Sequence, residues 1–232
     1  MSTYFQVLLF SFFVPFIFSF HPKILFYKKW ASFIKANLIV TIPFLIWDEI
    51  FVRNQVWGFS KIHLSDISFL NLPIEEILFF VIIPYCCVFT YDVFCKLNIN
   101  KSKIINNITL VIGLSLLFLG VLFHEKLYTS ITFILLALVL IILFFSKNHF
   151  LPTFYLTYIV ISFTFFIIVN GVLTGGFTGG PDNQPPVFYN DQENLDIRFW
   201  TIPIEDFFYS MLMLITNIWL FEIFKERKKK TI

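Results

Sequence analysis

The stretch Asn71–Phe80, NLPIEEILFF, returns near the end of the chain as Trp200–Tyr209, WTIPIEDFFY. Both copies read Pro-Ile-acid-acid-x-x-aromatic, and both open an apolar run that is long enough to span a bilayer. Ionisable side chains inside a membrane span are costly, so each one is a functional-site hypothesis by default. The candidate site therefore consists of the carboxyl groups of the two motifs: Glu75, Glu76, Glu205 and Asp206.

The composition indicates a polytopic membrane protein. Of the 232 residues, 58% are hydrophobic and 14% are charged, whereas a soluble domain is nearer half apolar and a quarter charged. The basic residues cluster in short loops and in the C-terminal tail, so nucleic acid is not an expected partner. The three cysteines and the four histidines have no metal-ligand spacing, so no metal site is expected.

Seven apolar runs predict an all-α integral membrane protein with seven transmembrane helices. The predicted spans are approximately residues 4–20, 33–50, 72–94, 104–123, 127–145, 153–169 and 202–224. Of the 17 Lys and Arg residues, 12 lie in the tail and the loops on its side, with Lys35 close by, and 4 lie in the opposite loops. Positive charge marks the cytoplasmic side. The N-terminus is therefore expected outside and the basic tail inside, anchoring the chain in the cell (inner) membrane.

The duplicated motif indicates an internal repeat. Spans one to three (residues 1–100) and spans five to seven (residues 126–232) each form a predicted three-span unit, and the acidic motif opens its third span. Span four (residues 101–125) links the units and restores the orientation, so the repeats are expected to be parallel about an axis along the membrane normal. Such an arrangement builds one site between the halves, near the outer leaflet, with an acid pair from each half.

Each acid pair is expected in the first turn of a helix, with Asn71 and Thr201 as N-caps and Pro73 and Pro203 just inside the helix. The helix N-terminus favours the carboxylate, whereas burial and a neighbouring carboxylate favour the neutral acid. In a dry site the second effect dominates, so one carboxyl is a proton donor and its ionised partner is a base. Capping is the ordinary role of a single first-turn Glu, but the matched duplication favours a function for the set.

Adjacent positions on a helix point about 100° apart. One acid of each pair is therefore expected to face the site and the other to support it. Phe79 and Tyr209 share a helix face with Glu75 and Glu205, respectively. Their rings could stabilise a carbocation.

The two motifs resemble the proline, spacer, acid, acid signature of the membrane-embedded lycopene cyclases, the type made of two small subunits or of one fused chain. Further segments resemble the family's approach to the first motif (Trp47-Asp48-Glu49, Trp57-Gly58-Phe59) and to the second (Val169–Gly175, Tyr189-Asn190). The resemblance covers nearly the whole chain in the fused arrangement.

This resemblance implies a carotenoid cyclase, an intramolecular lyase or isomerase that converts the linear ψ-ends of lycopene to β-ionone rings, giving γ-carotene and then β-carotene. No cofactor is implied, and no Gly-x-Gly-x-x-Gly motif of the flavin-dependent cyclases is present. The implied partners are a carotenoid dissolved in the membrane and, as open alternatives, a second copy of the chain or other carotenoid enzymes.

The resemblance also suggests residue roles. Glu75 and Glu205 are the expected principal acid/base pair, and Glu76 and Asp206 are expected to tune it or to relay protons. The expected substrate-binding and supporting residues are Asp48, Phe79, Asn170 and Tyr209.

Three other classes of membrane protein fit the sequence less well. A transporter or proton channel would use the acids as a relay through the bilayer, but spans four to six contain no acidic residue. A microbial rhodopsin requires a Lys inside the last span, and the first one there is Lys225, at its end. A prenyltransferase requires aspartates at helical spacing to hold Mg²⁺, and Asp48-Glu49 has no partner one turn away.

Overall fold

A computed structural model of the chain describes residues 2–97, 103–146 and 148–230. Lys101 and Lys147, which contribute to the charge count above, lie outside the described residues, as do the side chains of the tail from Arg227 onwards. The membrane orientation inferred from the distribution of Lys and Arg therefore stays a prediction.

The protein is mostly helical (71%), as predicted for an all-α membrane protein. The helices are α1 (Thr3–Phe18), α2 (Trp30–Arg53), α3 (Ile74–Phe94), α4 (Lys103–Leu122), α5 (Leu127–Phe145), α6 (Leu151–Ile161), α7 (Ile167–Leu173) and α8 (Ile204–Lys230). A π-helical turn, Ser162–Phe166, joins α6 to α7, and short 3-10 turns lie at Phe26–Lys29, Lys61–His63 and Cys95–Leu97.

Within residues 2–97, 103–146 and 148–230, six helical segments are long and apolar enough to cross a membrane, one fewer than the number of spans predicted for the chain. They are Phe26–Arg53, Ile74–Phe94, Ile105–Leu122, Leu127–Phe145, Leu151–Leu173 and Ile204–Glu226. The apolar helix α1 has 16 residues, whereas a perpendicular span requires about 20. Large apolar side chains such as Phe10, Phe118 and Phe163 are exposed on the outer faces of the bundle, which suits contact with lipid.

A buried polar network holds α2, α3 and α8 in register. Pro84 lies inside α3 and has no N–H to donate to the carbonyl of Phe80 one turn earlier. Asn37 Nδ2 and Thr41 Oγ1, both on α2, each donate to that carbonyl at 3.0 Å. Asn37 Nδ2 also donates to Asn217 Oδ1 on α8 at 3.2 Å. An unpaired carbonyl in an apolar interior is costly, so these contacts compensate for the proline and fix how the helices meet.

Short strands lie in the predicted loops and, for two of them, at the first residues of predicted spans three and seven. They are β1 (Trp57–Phe59), β2 (Ser68–Phe69), β3 (Leu72–Pro73), β4 (Val187–Tyr189), β5 (Arg198–Phe199) and β6 (Ile202–Pro203). Strand β1 pairs antiparallel with β4, with Gly58 opposite Phe188. This pairing joins the connection after α2 to the long connection before α8.

Each acidic motif is entered through a tight hairpin. Strand β2 pairs with β3 and β5 pairs with β6, and the turns place Leu70 (φ 59°) and Trp200 (φ 58°) in the left-handed region. The N–H groups of Ile74 and Ile204 donate back to the carbonyls of the residues seven positions earlier, at 3.0 and 2.9 Å. Each hairpin therefore fixes the residue at which its helix begins.

The predicted N-caps are wrong. The helices begin at Ile74 and Ile204, directly after the prolines, so Asn71 and Thr201 lie within the turns. Asn71 instead donates its backbone N–H (3.0 Å) and its Nδ2 (2.7 Å) to Glu49. The acid pairs still occupy the first turns of α3 and α8, as predicted.

The strand pair β1–β4 provides a test of the packing. A Cβ atom on Gly58 would lie 2.5 Å from Cζ of Phe188, so we expect Gly58→Ala to destabilise the protein by about 1–3 kcal/mol through overpacking. Thermal unfolding of the purified protein in detergent measures this loss. Phe188 is half-exposed, so Phe188→Ala alone should cost less, and the Gly58→Ala/Phe188→Ala double variant should regain most of the lost stability. Simple addition of the two losses would contradict the packing described.

Candidate active site

A cavity lies where the acidic motifs meet the strand pair β1–β4. Its empty volume, which includes open space at its mouth, is about 540 Å³. Apolar and aromatic groups dominate its wall, and no Lys, Arg or His of the described residues lines it. The lining residues are Tyr4, Asp48, Trp57, Phe59, Glu76, Phe79, Tyr128, Phe166, Asn170, Leu173, Val187, Tyr189, Asp206, Tyr209, Ser210 and Met213.

The second acid of each motif faces the cavity. Glu76 and Asp206 line it, whereas Glu75 and Glu205 do not, although all four are buried. The expectation that one acid of each pair faces the site therefore agrees with the geometry. The expected principal pair, Glu75 and Glu205, is not the pair that the structure brings to the cavity.

Asp206 is held by three hydrogen-bond donors. Tyr128 donates its hydroxyl to Oδ1 at 2.5 Å. Asn170 Nδ2 and the Tyr189 hydroxyl donate to Oδ2 at 2.5 and 2.8 Å. Donors that point at both oxygens stabilise the charged form of a carboxyl group. This environment suits a proton acceptor.

Glu76 and Asp48, the other two carboxyl groups that line the cavity, have fewer donors. Tyr4 donates its hydroxyl to Glu76 Oε2 at 2.5 Å, and Trp57 Nε1 donates to Asp48 Oδ1 at 2.5 Å. Asp48 Oδ2 is buried and has no hydrogen-bond partner among the described residues. Asp48 and Glu76 also lie within electrostatic range of each other.

Glu75 anchors the first hairpin instead of facing the cavity. Its Oε1 accepts hydrogen bonds from the hydroxyl of Ser2 at 2.6 Å and from the backbone N–H of Ser65 at 2.7 Å. These contacts tie the start of α3 to α1 and to the segment that leads into β2.

Glu205 repeats this arrangement in the second motif. Its Oε1 accepts hydrogen bonds from Thr129 Oγ1 at 2.6 Å and from the backbone N–H of Leu195 at 2.8 Å. The start of α8 is thus tied to α5 and to the segment before β5. The first acid of each motif positions the second.

Aromatic rings form one side of the cavity. The rings of Tyr128 and Tyr189 stack with centroids 5.9 Å apart and an interplanar angle of 11°. Tyr209 and Trp57 meet edge to face at 6.0 Å. Burial and then the negative charge of Asp206 raise the pKa of Tyr189 well above its ordinary value of 10.0. Tyr189 is therefore a neutral hydroxyl donor at neutral pH.

The structure brings all four predicted supporting residues to this cavity: Asp48, Phe79, Asn170 and Tyr209. Sequence reasoning did not predict the tyrosine donors Tyr4 and Tyr128. Each lies near the start of a helix that packs beside an acidic motif. A tyrosine at that position is the sequence feature that could have predicted a hydrogen-bond donor to the acid. Tyr189 and Trp57 were noticed only through the family resemblance.

A comparison with protein families matches most of the chain. The family model described as lycopene cyclase matches residues 1–94 and 125–224, which together make up more than half of the chain. The chain belongs to the lycopene cyclase family. Its membership supports a carotenoid cyclase function in a multi-pass membrane protein.

A curated relative points to the same family. A bifunctional lycopene cyclase/phytoene synthase from Aspergillus niger is 32% identical over 68 residues, which are 29% of this chain and 11% of that protein. The match therefore covers a small part of the fungal protein. No solved structure matches the chain.

The anchoring role of Glu205 can be tested through Thr129, which is fully buried. Thr129→Val removes a donor and leaves a buried carboxyl oxygen with only the Leu195 N–H, so we expect a loss of about 1–3 kcal/mol in thermal unfolding. Thr132→Val is the matched control on the same helix. The hydroxyl of Thr132 is buried and has no partner among the described residues, so its removal should be neutral or stabilising. Equal losses in the two variants would contradict the anchoring role.

Proposed function

We propose that this lycopene cyclase family member closes the ψ-ends of lycopene to β-ionone rings by acid/base catalysis between Glu76 and Asp206. The observation that carries the proposal is that the two motifs each contribute one carboxyl to the same apolar cavity. A proton donor and a proton acceptor that share a water-poor site are the two groups that an isomerisation by proton transfer requires.

The reaction conserves atoms and electrons. One carboxyl donates a proton to the terminal double bond of a ψ-end, which leaves a tertiary carbocation. The next double bond attacks this cation and closes a six-membered ring, and the positive charge moves onto a ring carbon. The second carboxyl removes a proton from the ring carbon that joins the polyene chain, and the electrons of that C–H bond form the ring double bond.

The cavity wall suits such an intermediate. The faces of Tyr209, Trp57 and Phe79 offer negative potential to a carbocation, as aromatic faces do to other cations. Among the described residues, no basic side chain lines the cavity. The Arg198 guanidinium, which lies 5.8 Å from the centroid of the Tyr189 ring, is paired with Asp191, so little positive charge opposes the one that develops on the substrate. The apolar surroundings also exclude water, which would otherwise trap the cation.

We further propose that the site lies between two parallel three-span halves, residues 1–100 and 126–232, joined by a linking span at residues 101–125. Equivalent features recur 130 positions later, as in Glu76 and Asp206 or in strands β1 and β4 (57–59 and 187–189). The antiparallel register of β1 with β4 is unchanged when the two strands exchange places, as a local two-fold axis requires. With α1 as a seventh, short span, the N-terminus lies outside and the site lies near the outer leaflet of the cell membrane.

The proposed substrate is a hydrocarbon that reaches the cavity from the lipid. The helices around the site are apolar and long enough to cross a membrane, which suits a carotenoid dissolved there. A transporter, the alternative that the sequence left open, is not favoured, because family membership supports carotenoid cyclisation.

The function is tested by expressing the chain in a bacterial host that accumulates lycopene and separating its pigments by chromatography. The proposal predicts γ-carotene and β-carotene with the unmodified chain. Glu76→Gln and Asp206→Asn should each lower ring formation by about 10²–10⁴-fold, the typical contribution of general acid or base catalysis.

Glu75→Gln is the comparison variant for this experiment. Gln keeps the Oε1 acceptor that Ser2 and Ser65 use, so the loss in Glu75→Gln should be much smaller than in Glu76→Gln. Unchanged lycopene with the unmodified chain present in the membrane would contradict the function. Full activity of both Glu76→Gln and Asp206→Asn would contradict the assigned residues.

The contribution of the aromatic wall is tested at Tyr209. Tyr209→Leu removes the ring that faces the cation, so we expect ring formation to slow by about 5–30-fold, as the loss of roughly 1–2 kcal/mol of cation–π stabilisation implies. Tyr209→Phe keeps the ring and should retain most of the activity. Equal losses in the Leu and Phe variants would assign the effect to the hydroxyl instead.

A further inference from the structure

We infer that Asp48 shares the catalytic proton with Glu76, and that the difference between Asp48 and Asn170 makes Glu76 the proton donor and Asp206 the acceptor. The inference rests on the proposed function and assigns the direction of proton transfer, which the motif residues alone leave open. It also gives Asp48 a role that acts through Glu76.

The first observation is the number of carboxyl groups in the cavity. Asp48, Glu76 and Asp206 all line it, all are at least nine-tenths buried, and within the described part of the chain no Lys, Arg or His lines it. Three negative charges without a cation in one apolar site are strongly unfavourable. At least one of the three carboxyl groups therefore carries a proton.

The second observation is the distribution of hydrogen-bond donors. Asp206 accepts three hydrogen bonds, whereas Glu76 and Asp48 each accept one from a side chain among the described contacts. The Oδ2 atom of Asp48 is buried and has no partner in the described part of the chain. The negative charge is best stabilised on Asp206, so the proton belongs to the Asp48 and Glu76 pair.

The third observation is the different chemistry of Asn170, which contacts Asp206, and Asp48, which lines the cavity with Glu76. Asn170, on α7, donates its amide to Asp206 and cannot exchange a proton with it. Asp48, on α2, lines the same cavity as Glu76 and has a buried Oδ2 without a partner among the described residues, so it can hold the proton that Glu76 donates. An amide beside one acid and a carboxyl beside the other break the symmetry of a site built from two similar motifs.

The direction of transfer follows. The Asp48 and Glu76 pair donates its proton to the terminal double bond of the substrate, and its charge becomes negative as the carbocation forms nearby. Asp206 then accepts the proton that the ring carbon releases. The proton returns to the pair before the next cycle, so the reaction consumes none.

The test uses the 232-residue chain purified in detergent and compares Asp48→Asn with Asp48→Glu. Asn keeps an oxygen that can accept from Trp57 but cannot share a proton. We expect Asp48→Asn to lower ring formation by about 100-fold, within the range of general acid catalysis, and Asp48→Glu to recover at least a tenth of the activity. Asp66→Asn, which changes an exposed acid, is the control and should match the unmodified protein.

Infrared spectroscopy supplies a readout that does not depend on activity. The unmodified protein should show the C=O stretch of a buried protonated carboxyl that shifts on transfer to D₂O. This band should be lost or displaced in both Asp48→Asn and Glu76→Gln and retained in Asp66→Asn.

The outcomes separate this inference from the proposed function. An active Asp48→Asn variant, or an unchanged infrared band in it, overturns the shared proton even if lycopene is cyclised. An inactive Asp48→Glu with an unchanged band assigns Asp48 a purely structural role and also overturns the inference. If the unmodified protein leaves lycopene intact, the function fails, while the infrared comparison still decides where the proton lies.

Discussion

Three carboxyl groups line one cavity, and no Lys, Arg or His of the described residues lines it with them. Such a cluster is unfavourable unless donors stabilise the charge and a proton neutralises the remainder. Tyr128, Asn170 and Tyr189 supply the donors for Asp206. The unequal number of donors also suits catalysis. A proton held by the Asp48 and Glu76 pair makes that pair a proton donor, and the charge stabilised on Asp206 makes it a proton acceptor.

The surrounding fold fixes the residue at which each acid-bearing helix begins, and so fixes which side chains reach the cavity. The hairpins β2–β3 and β5–β6 set where α3 and α8 begin, and Glu75 and Glu205 fasten those helix starts to α1, α5 and the preceding segments. A shift of one residue in either helix would rotate its first turn by about 100° and would exchange the acid that faces the cavity. This sensitivity gives the first acid of each motif an anchoring role through its Oε1 acceptor, even though it does not reach the cavity.

Much of this arrangement could be predicted from the sequence. The apolar runs predicted the helices, because a span needs about 20 apolar residues and such runs are visible without any partner. The repeated motif identified the acids, and Asp48, Phe79, Asn170 and Tyr209 were expected nearby. The strands were not predicted, because segments of two or three residues are too short to show the alternation that marks a strand.

The remaining errors share a physical cause. Which acid faces the cavity depends on the hairpins, which form through pairings that the helical period does not record. The donors Tyr4 and Tyr128 lie 72 and 78 residues from the acids they contact, so only the packing of separate helices brings them there. The N-caps at Asn71 and Thr201 failed because the turn residues are engaged elsewhere, as in the contact of Asn71 with Glu49.

In the proposed reaction, an exchangeable proton from a protein carboxyl starts ring closure, and there is no net oxidation or reduction. Its most direct test is mass spectrometry of the carotenoid formed from lycopene by purified protein that is equilibrated in D₂O, with the protein in excess so that each site turns over once. The account predicts a cyclic product that carries one deuterium for each ring formed. A cyclic product with no deuterium, or with two hydrogens fewer than lycopene, would contradict it.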